Sequence, residues 1–106
     1  MSQSKISAND MLANADYDNL TIEEILTLLV THIVSDPDAV EVTFLDGDSL
    51  KVVEFDVSPQ DRGPLLGKDG RTLSAMRTLT KAMLGARVRN VRYNIGMVND
   101  RQDGDY

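Results

Sequence analysis

Leu65-Leu66-Gly67-Lys68-Asp69-Gly70-Arg71-Thr72-Leu73 is the stretch that decides how this chain is read. Two leucines run into a Gly-x-x-Gly loop that carries one cation, and Arg71 follows at once. Beyond it, Leu73, Met76, Leu79, Thr80 and Met83 recur at helical spacing on one side. The segment reads as helix, tight glycine turn, helix. Glycine at both ends of the turn lets backbone approach a ligand and take a positive φ without a Cβ clash. The N–H groups opening the second helix favour an anion, and Lys68 and Arg71 add charge there.

Working outward, residues 1–20 are small and polar, with no sustained period. They read as a flexible, acidic extension, with a short helical piece around Met11 to Ala15. A helix opens at Thr21. Thr21 and Glu24 have capping-box spacing, and Leu20 and Ile25 stand at the staple positions. Ile22, Ile25, Leu26, Leu29, Val30 and Ile33 then form an apolar stripe, and Asp36-Pro37 ends the helix. His32, the single histidine, reads as a surface residue of this helix.

A hairpin follows. Val40, Val42 and Phe44 alternate with polar residues, Asp46-Gly47 signals a turn, and Leu50 to Val57 return. The alternation slips between Val52 and Val53, which predicts a bulge or burial on both faces. Ser58-Pro59 opens the short helix before the loop. Pro64 predicts either a kink in it or a turn to Gly63 and a fresh start at Pro64. The helix after the loop is expected over 71–84, stopped by Gly85. In a last strand, Arg89, Val91, Tyr93 and Ile95 share one face, and Asn90, Arg92 and Asn94 the other. From Gly96 the chain is polar and acidic, a frayed tail.

The order is helix, strand, strand, helix, Gly-x-x-Gly, helix, strand. The crossover makes the last strand parallel to the one at 50–57. The class is therefore α+β: a three-stranded mixed sheet with helices on one face. The domain spans 21–96, between the 1–20 extension and a flexible 97–106 tail.

A chain of 106 residues holds one modest core. It has no cysteine, no apolar run of transmembrane length and no secretory signal pattern, so a cytoplasmic location is expected. The net charge of −6 hides a sharp asymmetry. Residues 1–58 set two lysines against twelve acids, whereas 59–95 set eight Lys or Arg against Asp61 and Asp69. A basic face on an acidic body is the footprint of a nucleic-acid binder. Arg77 and Lys81, one turn apart, extend the cationic rim. The glycine loop lacks P-loop spacing, and one histidine without cysteine supplies neither a catalytic set nor a metal site. No enzyme, cofactor or metal is expected.

Leu66-Gly67-Lys68-Asp69-Gly70-Arg71-Thr72-Leu73 resembles the core motif of KH domains, in which a Gly-x-x-Gly loop clamps about four nucleotides. The element order is similar to the bacterial, type II form. Val57-Ser58-Pro59-Gln60-Asp61-Arg62-Gly63 and the basic-apolar helix 75–82 are similar to small bacterial single-domain KH RNA-binding proteins of the KhpA type. The resemblance covers about residues 21–96. It implies a non-catalytic single-stranded RNA-binding protein, a post-transcriptional regulator or RNA chaperone, with Leu66, Gly67, Lys68, Asp69, Gly70, Arg71, Arg77 and Lys81 on the RNA. It also implies a homodimer, or a heterodimer with a Jag-type KH protein, which the apolar end near Leu65 and Leu66 would build. Two departures stand out: Pro64 in the first helix, and Asp69, which partly offsets Lys68 in the loop. Asp69 and the acidic total keep an alternative open, a KH-fold protein-interaction module with weak or no RNA binding.

Overall fold

The computed structural model describes residues 2–87 and 92–98. Four strands and four helices follow in the order β1 (Ser2–Ser7), α1 (Ala8–Ala13), α2 (Ile22–Ile33), β2 (Glu41–Asp46), β3 (Leu50–Asp56), α3 (Arg62–Leu66), α4 (Arg71–Arg87) and β4 (Arg92–Met97). Single 3-10 turns sit at Pro37–Ala39, Pro59–Asp61 and Lys68–Gly70.

The capping box starts α2 as its residues require. Thr21 Oγ1 accepts from the Glu24 N–H at 3.1 Å, and Glu24 Oε1 accepts from the Thr21 N–H at 2.9 Å. Ile22, Leu26 and Val30 are then buried, while the other side of the stripe is half-buried. β2 and β3 pair one-to-one from Glu41↔Asp56 to Asp46↔Lys51, without a bulge. The phase slip is met by burial on both faces: Val53 points into the core, and Val52 lies half-buried opposite Leu45 on the outer face. β4 runs parallel to β3. The α+β class stands.

The sheet has four strands, not three, in the order β1-β2-β3-β4. The added strand, Ser2–Ser7, and the helix Ala8–Ala13 come from the segment that composition presents as a flexible extension. β1 is polar throughout except Ile6, so it carries no apolar alternation to read. Its hold is the antiparallel main-chain ladder to β2. Ser7 caps α1 by accepting from Asp10 N–H, the Ala8 N–H donates to Val40 O at 2.9 Å, and Ala8 is wholly buried.

The inner face of the sheet carries Val42, Val53, Phe55, Ile95 and Met97 into one core with Leu26, Val30, Leu65, Leu73 and Met76. Three boundaries differ from the sequence reading. α4 continues through Gly85 to Arg87, since a glycine inside a helix costs only about 1 kcal/mol relative to alanine. β4 takes in Gly96 and buries Met97, where the tail was expected to fray. Pro64 stands at the third position of α3, where its missing N–H would have had no acceptor, so the fresh start falls at Arg62. Arg89, Asn90 and Val91, and the tail from Asn99, lie outside the described residues.

Candidate nucleic-acid interface

The loop is a backbone device before it is an electrostatic one. Gly67 has φ 82° and ψ 165°, a region that essentially only glycine occupies. A Cβ there would sit 2.3 Å from Thr72 Oγ1 and 2.6 Å from Thr72 N. Asp69 is left-handed at φ 57° and Gly70 has φ 74°. The Gly70 N–H closes the turn on Gly67 O at 3.0 Å, and the Arg71 N–H bonds Lys68 O. The donors at the start of α4 are thus partly consumed by the turn. The N–H groups of Lys68 and Asp69 take no backbone acceptor among the described residues. They are two loop donors left open.

Side chains follow from this geometry. Lys68, Asp69 and Arg71 are exposed, and Leu66 is half-buried against the core edge. Leu65 is fully buried beneath them. It anchors the loop to the core and cannot also form a contact surface, which corrects the expectation that it helps build a dimer interface. Asp61 sets the direction of α3. Buried between α2 and α3, its carboxylate accepts from Ser35 N and Oγ, each at 2.8 Å, from Ser58 Oγ at 2.9 Å and from Asp36 N at 3.1 Å. The backbone bond from Ser35 leads the effects that hold its pKa down at about 2.

From the loop, α4 leads to a second basic stretch. Arg77 stands six residues after Arg71, about 9 Å along the helix axis. A groove of about 380 Å³ runs between α4 and β4, lined by Arg77, Thr80 and Lys81 on one wall and by Arg92, Tyr93 and Asn94 on the other. Arg77 Nε donates to Ile95 O at 3.0 Å, so this guanidinium is fixed to the floor of the groove. Lys81 and Arg92 are exposed, and among the described residues no carboxylate lines the groove. Tyr93 is half-buried and donates its hydroxyl to Glu23 Oε1 at 2.6 Å. Burial, and then that bond, push its pKa up, so it stays neutral.

The structure therefore brings Arg77 and Lys81 to one groove, with Gly67, Lys68, Gly70 and Arg71 at the head of the same helix. Arg92, Tyr93 and Asn94 complete it and were not singled out as site residues. Their signal was Arg92 on the polar side of the last strand, but only the parallel pairing puts that strand beside α4. Leu79, assigned to the buried side of the helix, is half exposed at 51%. With Ala75 and Ala82, also exposed, it forms a small apolar ridge away from the core.

A helix–Gly-x-x-Gly–helix unit over a mixed sheet, with cations along the second helix, defines a KH domain. The sequence model of the KhpA/KhpB KH domain matches residues 23–95, and the chain belongs to that family. A protein of Caldanaerobacter subterraneus subsp. tengcongensis named RNA-binding protein KhpA is 41% identical over 59 residues, which are 56% of this chain and 79% of that protein. Proteins of the same name from Streptomyces coelicolor and Leifsonia xyli subsp. xyli are 41% identical over 68 residues and 43% over 75. These cover 64% and 71% of this chain, and 86% and 93% of the respective relatives. No solved structure matches. β1 and α1 lie outside the family match.

Proposed function

We propose that this chain is a non-catalytic single-stranded RNA-binding protein of the cytoplasm, acting as a post-transcriptional regulator or RNA chaperone. The carrying observation is the loop. It presents two free N–H groups with exposed Lys68 and Arg71, at the head of a groove lined by Arg77, Lys81 and Arg92. The N–H groups and Lys68 hold one phosphate, and Arg71 and the groove cations track the next ones. Leu66 offers an apolar rest for a base, and base selectivity is modest. Relatives that carry the name RNA-binding protein support the same reading. Among the described residues no helix is long and apolar enough to cross a membrane.

The test is RNA affinity against salt. With about two to four phosphates engaged, log K falls against log salt with a slope of about −1.5 to −3. Lys68→Asp abolishes RNA retention and leaves the melting curve in place, since an exposed substitution changes stability by about 0.5 kcal/mol or less. A flat salt response, or full affinity in Lys68→Asp, refutes the phosphate clamp.

The exposed ridge of Ala75, Leu79 and Ala82 favours a second property, self-association or pairing with a Jag-type KH protein. One loop grips few nucleotides, and joining two copies makes the second contact intramolecular. The acidic balance and Asp69 favour the remaining reading, an interaction module with weak RNA binding. Loss of association without loss of RNA affinity separates the two.

A further inference from the structure

A second cavity lies between the inner face of β1–β3 and the first turn of α2, beside the Tyr93–Glu23 hydrogen bond. Its volume is about 300 Å³, at the lower end for small-molecule sites. Its apolar wall is Met11, Phe44 and Val53, and Ser4 closes the edge. Ser4 and Met11 belong to β1 and α1, outside the family match, so the cavity is a product of this chain's own N-terminal segment.

The polar wall is unbalanced. Among the described residues, Glu23, Glu24 and Asp46 face the cavity, with Lys51 as the single cation. Lys51 is already paired to Asp46, and that hydrogen bond holds its pKa up, so it stays charged. The positive end of α2 contributes about half a charge. Three carboxylates against one ammonium and that half charge leave the site negative.

The remaining carboxylates are positioned rather than mobile. Glu24 Oε1 is fixed by the capping box, and Glu23 Oε1 accepts from Tyr93 Oη. Each keeps a second oxygen that accepts no hydrogen bond among the described residues.

The geometry points to a binding site for a small aromatic or branched primary amine. Its ammonium sits against the free oxygens of Glu23 and Glu24, and its ring or chain packs on Met11, Phe44 and Val53. An anionic ligand is disfavoured by the three carboxylates. A neutral apolar ligand would leave the Glu23 and Glu24 oxygens covered without a partner.

The probe is tryptamine, titrated into the full isotopically labelled chain and followed by amide shifts. Saturable shifts centred on Met11, Glu23 and Phe44 are expected. Tryptophol, with a hydroxyl in place of the ammonium, binds at least about tenfold more weakly, and so does tryptamine with Glu23→Gln, because each removes a charge-assisted hydrogen bond. The glutamine retains an acceptor for Tyr93. If its melting curve shows it unfolded, the comparison of the two ligands on the unsubstituted chain decides. Non-saturating shifts, equal affinity for tryptophol, unchanged affinity in a folded Glu23→Gln, or shifts centred on the 67–71 loop overturn the proposal.

Discussion

Gly67→Ala and Gly70→Ala are substitutions of the same kind, three residues apart in the same loop, and the structure separates their effects. At Gly67 the backbone conformation alone costs an alanine about 1–3 kcal/mol. The new methyl would also lie 2.3 Å from Thr72 Oγ1, 2.6 Å from Thr72 N and 2.8 Å from Thr72 Cβ. Rotating Thr72 would move the hydroxyl and leave the backbone nitrogen in place, so the first turn of α4 must shift. A total of about 3–4 kcal/mol follows, a large part of the stability of a domain this size. At Gly70, φ is 74° and nothing lies within 4 Å of the added methyl. Only the left-handed penalty of about 1–2 kcal/mol remains. Chemical denaturation of both variants, with the m-values checked for equality, measures the gap directly. The expected gap is about 2 kcal/mol, with a difference in Tm of roughly 10 °C. Equal destabilisation, or Gly67→Ala within about 0.5 kcal/mol of the unsubstituted chain, would refute the loop geometry.

Acid stability should report on Asp61. Its folded pKa of about 2 lies below the ordinary 3.8, so its contribution is present above pH 3.8 and is lost as the pH falls towards 2. Asp61→Asn lowers stability at neutral pH and flattens that acid limb, and an unchanged limb in acid denaturation would count against the network. Thr21→Ala removes the cap of α2 and lowers stability by about 1 kcal/mol in urea denaturation, with RNA affinity unchanged. Leu79→Asp lowers the mass measured by light scattering at high concentration to that of a monomer, without lowering Tm, because the side chain already faces solvent. A dimer that persists in this variant would place the interface elsewhere.

Local signals determined much of this protein. The Thr21/Glu24 spacing started α2, Asp36-Pro37 ended it, Asp46-Gly47 turned the hairpin, and the glycine pair with its flanking leucines marked the loop and its family. Each of these acts within a few residues, through caps, turn preferences and side-chain period, so a linear reading captures it. The loop residues Gly67, Lys68, Gly70 and Arg71 were legible for the same reason, being contiguous.

Tertiary structure decided what depends on partners distant in the chain. Ser2–Ser7 became a strand because the open edge of β2 supplied hydrogen-bond partners, which its polar sequence does not announce. Leu79 faced solvent although its spacing matched the buried side, because the contact with the core is made by Leu73, Met76, Thr80 and Leu84. Arg92 joined Arg77 and Lys81 only because the parallel crossover set β4 beside α4. Asp61, one of two acids in the basic stretch 59–95, collects donors from Ser35 and Asp36, 26 and 25 residues away. In all of these the deciding energy is burial or hydrogen bonding between segments far apart in sequence, and no local pattern encodes which segments will meet.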